Sequence, residues 1–285
     1  MRKRLSIFFI TLLVFTYLPV FPSKQITITQ LLDKMLHAIQ DVKTMRYKII
    51  SKERVKGSIL SSSSHIKISE QSPKKIYFKN ATKGIEVLWV DGENKNDAYV
   101  YPNAFPYVTM SLDPYKSIMR KNQHHTIFDL GFVFIGKTIA NKILKTSDDL
   151  NKQFKLIGSV NSNGTECYHV FYEYTDYKLI DYVVQKGETV RSISAKLNIG
   201  EYRIRERNPE LLETFGYIKE GKKLTVPNNY SSKTILYIDK KTFLPLYILV
   251  YDDQGFYESY EYSELETNIT FKPNEFNKGF TGYKI

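Results

Sequence analysis

One stretch, Tyr182 to Pro227, constrains this 285-residue chain more than any other. Tyr182-Val183-Val184 is an aromatic, β-branched run that Lys186-Gly187 ends in a turn. Thr189 then stands at a helix N-cap position, where its hydroxyl can accept from an amide two or three residues on. Val190, Ile193, Ser194 and Leu197 make one stripe at helical spacing, and Gly200 stops it. Tyr202 to Asn208 reads as a second short helix that Pro209 cannot extend. Leu224 and Val226 form a closing strand able to pair with the first. The pattern is strand, helix, helix, strand, with its two ends side by side.

In this order and spacing the stretch resembles the LysM domain. The residues that carry the likeness are the tyrosine-valine opening, Gly187-Glu188-Thr189, Ile193, Asn208, and Gly221-Lys222-Lys223-Leu224. Glu188 replaces the usual aspartate, and Arg191 stands where many members have an aromatic. The resemblance implies a module that grips N-acetylglucosamine glycans such as peptidoglycan. Its groove would lie between the first strand-helix loop and the second helix-strand loop. Here those are Gly187, Glu188, Thr189 and Val190, facing Asn208 through Tyr217 and Ile218. Each residue also has a plain structural reading: Gly187 serves the turn, Thr189 caps and Asn208 ends a helix. No second copy of the stretch occurs.

The flanking sequence supplies a host. Arg2-Lys3-Arg4 followed by the apolar run Leu5 to Phe21 reads as an export signal over residues 1–23, with an uncleaved membrane anchor as the alternative. Leu31, Leu32, Met35, Leu36, Ile39 and Val42 then recur at helical spacing. Turn-separated runs follow at 47–50, 65–68, 75–78 and 85–90, which predicts an antiparallel meander. Two helices are expected next, Asp113 to Asn122 with Pro114 at its first position, and Thr126 to Leu144. The apolar residues of the second suit ordinary core better than the lid of a lipophilic cavity. Strands resume at 154–160 and 167–174, and again at 234–238, 246–251 and 256–262. The module therefore interrupts a hairpin, and its adjacent ends suit such an insertion. The expected domains are 24–180 with 229–285 as a discontinuous host, and 181–228 as the insert. On this reading the host should still fold when the insert is deleted.

The host resembles the lipoprotein-carrier-like (LolA-like) families of bacterial envelopes. The likeness rests on the helix-then-meander order, on Leu236-Tyr237-Ile238-Asp239-Lys240-Lys241-Thr242-Phe243-Leu244-Pro245, and on Tyr251-Asp252-Asp253-Gln254-Gly255, Asn268 and Phe276. It implies an α+β fold: an antiparallel incomplete β-barrel with covering helices, enclosing an apolar cavity for acyl chains.

Residue chemistry points to no reaction. His124-His125 has no carboxylate or cysteine at metal-ligand spacing and reads as a surface pair. Cys167 and His169 share a strand face, which reads as a buried thiol beside a satisfied histidine. Asp148-Asp149 and Asp252-Asp253 read as solvated turn acids. Nucleotide-binding and hydrolase signatures do not occur. The formal charge is +11, with nine Lys/Arg against six Asp/Glu in the stretch from Tyr182 to Pro227, too dispersed for a nucleic-acid stripe. The expectation is an exported, non-catalytic envelope protein of the periplasm or wall, needing neither metal nor cofactor. Its partners would be peptidoglycan and lipid or lipoprotein acyl chains. The alternative is a wall hydrolase, or an accessory to one, targeted by the module.

Overall fold

A computed structural model describes residues 25–145 and 150–285. The expected export signal, residues 1–23, and the Asp148-Asp149 pair lie outside the described residues. In chain order the elements are α1 (Ile28–Asp41), β1 (Thr44–Val55), β2 (Ser58–Ser69), β3 (Lys75–Asn80), β4 (Glu86–Val90), β5 (Ala98–Tyr101), β6 (Met110–Leu112), α2 (Ser117–Arg120), α3 (Val133–Lys145), α4 (Leu150–Gln153), β7 (Phe154–Ser162) and β8 (Thr165–Glu173). Then come β9 (Leu179–Val183), α5 (Val190–Leu197), α6 (Glu201–Arg207), β10 (Lys223–Pro227), β11 (Lys233–Asp239), β12 (Pro245–Asp252) and β13 (Gly255–Thr267).

Eleven strands form one sheet in the order β6-β5-β4-β3-β2-β1-β13-β12-β11-β8-β7. Every neighbouring pair is antiparallel. The expected meander is therefore present, and the sheet is open: β6 and β7 are edges, not partners. Alternation puts Tyr47, Ile49, Ile66, Ile76, Val87, Val170, Leu236, Ile248 and Val250 on the inner face. Against that face lies α1, capped by Thr27 in a capping box with Gln30 and burying Leu31, Leu32 and Met35 completely. On the outer face the C-terminal segment covers β3 and β4, where Tyr283 stacks on Tyr77 at 3.8 Å between ring centroids.

The helical region after β6 departs from its sequence pattern. Only Ser117–Arg120 is helical where Asp113 to Asn122 was expected: Asp113 Oδ1 accepts from the Tyr115 amide (2.8 Å) as an N-cap would, but Lys116 is extended (φ −76°, ψ 159°) and breaks the turn before the helix can continue. Thr126 caps a 3₁₀ turn, Ile127–Asp129, and the continuous helix expected from there breaks at Gly131. Gly131 has a φ of +78°. Its N–H donates to the Tyr47 hydroxyl (2.8 Å) and its carbonyl accepts from Tyr262 (3.0 Å). The kink is thus clamped from the sheet, and α3 restarts beyond it. Gly136 has a different use: a Cβ there would lie 3.2 Å from Ile39 Cγ2, so its bareness lets α3 cross close to α1.

Between β8 and β11, which pair with each other, the chain builds a separate unit. Strands β9 and β10 form their own antiparallel ribbon, with α5 and α6 packed over a core of Val184, Val190, Ile193, Ile204, Leu211, Leu224 and Val226. The ribbon starts at Leu179, ahead of Tyr182, and its ends close on each other. Leu179 pairs with Pro227, and the Tyr174 amide donates to the Ser232 carbonyl (2.8 Å).

Candidate ligand cavity and insert surface

A cavity of about 420 Å³ lies between the inner face of the sheet and the kinked segment after β6. Tyr47, Ile49, Ile66, Phe78, Val87 and Val100 line it from the sheet, and Met119, Ile127, Leu130, Phe134 and Ile135 from the other side. Of the apolar residues in the region read as a helix, Phe132 goes to the core, whereas Ile127, Leu130 and Phe134 only half-bury against this space. The Gly131 kink causes that division, by turning the 3₁₀ segment away from the line of α3. Leu60 and Ile118 line the cavity yet are 49% and 62% exposed, which marks its mouth.

One wall of the cavity is charged. Glu258 of β13 is buried, and its Oε2 accepts from His124 Nδ1 (2.7 Å), His125 Nε2 (3.3 Å) and the Tyr260 hydroxyl (3.1 Å). Its Oε1 accepts from the Tyr230 hydroxyl. His124 Nε2 faces the Arg54 carbonyl at 2.9 Å, and Tyr260 also reaches Glu53 Oε1 at 2.7 Å. Burial alone would raise Glu258, but His125 and the hydrogen bonds from both imidazoles hold it well below the usual carboxylate range. Burial would likewise depress His125, and Glu258 overrides it, pushing the imidazole up to about 9. His124-His125 is therefore no surface pair. Its carboxylate partner comes from a strand more than a hundred residues away, which spacing in the sequence cannot reveal.

Asp252 also departs from the solvated-turn reading. It is buried and accepts from three arginines: Arg54 (Nη1 to Oδ1, 3.0 Å), Arg203 (3.0 Å) and Arg207 (3.3 Å). Arg54 grips Glu206 bidentately as well, at 3.0 Å through both Nε and Nη2. The Arg203 guanidinium lies 3.4 Å over the Tyr257 ring, and Arg120 pairs with Glu201. Arg203, Glu206 and Arg207 belong to α6, while Arg54, Asp252 and Tyr257 belong to the sheet. The insert is thus fixed to its host by a buried ionic seam as well as by its linkers.

At the seam a second chamber of about 270 Å³ opens between α3, the end of α5 and β8. Its floor includes Ile139, Phe154 and Leu236, and its rim Asn141, Asn198 and Asn229. Cys167 is a fully buried thiol pushed up to about 11, chiefly by burial, and His169 meets the Tyr237 ring edge-on at 5.2 Å.

The residues read from the LysM likeness fall into two groups. Gly187, Glu188, Thr189, Tyr217 and Ile218 come together: the Ile218 amide donates to the Glu188 carbonyl (3.0 Å), and Thr189 bridges Tyr217. Tyr217 is 78% exposed, and Gly187 is exposed as well. The Glu188 carboxylate is held by Tyr182 (2.7 Å), Lys196 (3.2 Å) and the Gln185 amide (2.8 Å). Val190 and Ile218 point into the insert core. Asn208 is buried and spent on the scaffold, donating to the carbonyls of Ile204 (2.7 Å) and Thr225 (2.8 Å) and accepting from the Thr225 amide (3.0 Å).

Fold and cavity together define a class: an open antiparallel sheet with helices laid across its inner face and an apolar chamber between them. The family described as "Protein of unknown function (DUF1571)" matches residues 42–219, more than half of the chain, and the chain belongs to it. No curated protein matches. Among solved structures the chain is similar to MucB (11% identity, TM-score 0.43, covering 88% of this chain and 62% of that one). It is also similar to the lipoprotein LppX of Mycobacterium tuberculosis (10%, TM-score 0.39, 86% and 99%) and to a putative outer membrane lipoprotein-sorting protein domain from Vibrio parahaemolyticus (11%, TM-score 0.35, 87% and 95%). The chain spans about three fifths of the length of MucB. At such TM-scores the likenesses carry no argument about function. Among the described residues no helix is long and apolar enough to cross a membrane, and no group of His, Cys, Asp or Glu is arranged to hold a metal ion.

Proposed function

We propose that the chain is an exported envelope protein that holds a lipid-like ligand, without turning it over, in the cavity between the sheet and the 118–135 segment. The observation that carries this reading is the cavity itself: apolar on most sides, open at Leu60 and Ile118, and inside the size range of small-molecule sites, about 300–1,000 Å³. A non-catalytic role fits the Glu258 carboxylate, whose oxygens are already engaged by two imidazoles and two phenols. The test is displacement of a fluorescent fatty acid from the full-length protein. Wild type should bind it, and Ile66→Trp, which fills the chamber from the sheet side, should weaken binding at least tenfold while the protein stays folded. Equal affinity in the two proteins, or no binding by wild type, sinks the reading.

A second role rests on the insert. Tyr217, bridged to Thr189, presents an exposed aromatic face, and Gly187, two residues before Thr189, presents bare backbone to solvent, which suits the apolar face and N-acetyl amide of a glucosamine unit. This supports the LysM reading and a grip on peptidoglycan. Tyr217→Ala should leave stability unchanged, since the side chain is exposed, and should cut co-sedimentation with insoluble peptidoglycan severalfold. Undiminished sedimentation of that variant would place the grip elsewhere.

A further inference from the structure

We infer that Ile135, with Val250 and Tyr230, is a partition that sets the length of the chain the cavity accepts. The inference rests on the lipid-holding reading and sharpens it: the ligand would carry a single aliphatic chain whose far end abuts Ile135.

These three residues line both chambers, so the wall between about 420 and about 270 Å³ is one side chain thick. All three are buried, and they come from three different places: Ile135 from α3, Val250 from β12, and Tyr230 from the segment that returns from the insert to β11. Tyr230 is pinned, because its hydroxyl donates to Glu258 and its ring meets Phe134 edge-on at 5.1 Å. Ile135 and Val250 have no polar tether and hold their places by packing alone. Beyond them the floor of the smaller chamber is apolar, with Ile139, Phe154 and Leu236, so a chain passing the wall would meet a compatible surface. The partition is also where insert and host meet, since Leu197 and Asn198 of the insert line the far side.

Each methylene moved from water into an apolar site gains roughly fourfold in affinity, until the space runs out. A homologous series of saturated fatty acids, measured by displacement of a fluorescent one from full-length protein, reads this directly. In wild type the gain per carbon should stop at a plateau length. In Ile135→Ala the roughly fourfold steps should continue for several further carbons. Val250→Ala opens the same wall from the sheet side and should act alike, which covers the case where one variant fails to fold. Adding Thr138→Phe, which fills the smaller chamber from α3, should return the plateau to its wild-type position. Binding with the same plateau in every folded variant overturns the partition and leaves the lipid reading standing. Absence of binding at all lengths overturns both.

Discussion

Replacing Asp252 by alanine is expected to destabilise the protein by about 3–5 kcal/mol, the range for breaking a buried ion pair from one side. The substitution leaves Arg54 and Arg203, both buried, facing each other without the carboxylate that now receives both. Arg54 would keep Glu206, but Arg203 would keep only its ring contacts with Tyr257 and Tyr230, since its Nε and Nη2 have no hydrogen-bond partner. Loss of that size should lower the melting temperature by roughly 10 °C. It should also loosen the insert, so limited proteolysis should begin to cut the two linkers near residues 176 and 230. A urea midpoint within error of wild type, with linkers still resistant, would mean the seam contributes nothing. The same geometry ties the insert's fold to that of its host. Adjacent ends predict that the host tolerates deletion of 181–228, but removal would strip Glu206 from Arg54 and Arg203 from Asp252. Point substitutions such as Tyr217→Ala are the sound test of the module.

The strands and the insert's helices were legible because their signal is local. Val190, Ile193 and Leu197 repeat every three or four residues, and the runs of the meander are each bounded by turn residues, so a short window contains the whole pattern. The kink at Gly131 was half-legible. Gly131 and Gly136 are poor helix formers within the expected helix, but only Tyr47 and Tyr262, bonding the Gly131 backbone from the sheet, show why the chain breaks there and leaves a cavity.

The charged seams were not legible, for a physical reason. An aspartate in Asp-Asp-Gln-Gly favours a turn whether its carboxylate meets water or three arginines. Asp252 is paired with residues 45 to 198 positions away, and Glu258 with one 134 away. One signal was available in α6. Tyr202, Arg203, Glu206 and Arg207 share a helix face away from the apolar Ile204, and such a dense mixed-charge face on a short helix can dock on a partner surface. The glycan-loop residues show the reverse: their likeness to a known module brought out Gly187, Glu188 and Tyr217, and equally Asn208, whose amide is consumed in joining α6 to β10.

Stability should fall on the alkaline side through the cavity wall. His125 is raised to about 9 beside Glu258, above the unfolded value near 6.5. Its contribution is therefore complete below about pH 6.5 and disappears as pH climbs through about 9, an effect of about 3 kcal/mol. Glu258 is held well below its unfolded value, so its share is present above about pH 4.5 and is lost on further acidification. The two together predict a plateau of stability between about pH 4.5 and 6.5, with a slope downward toward about pH 9. Urea unfolding at about pH 6 and about pH 10 should show the drop in wild type, as a shift in midpoint at constant slope. Glu258→Gln removes the charge that holds the proton on His125, so that variant should be less stable at pH 6 and should lose most of the alkaline step. If the step survives in Glu258→Gln, other groups cause it. If wild type is level across the range, the ion pair at the cavity wall has no net coupling to folding, and the chamber is held open by the Gly131 clamp and the apolar packing around it alone.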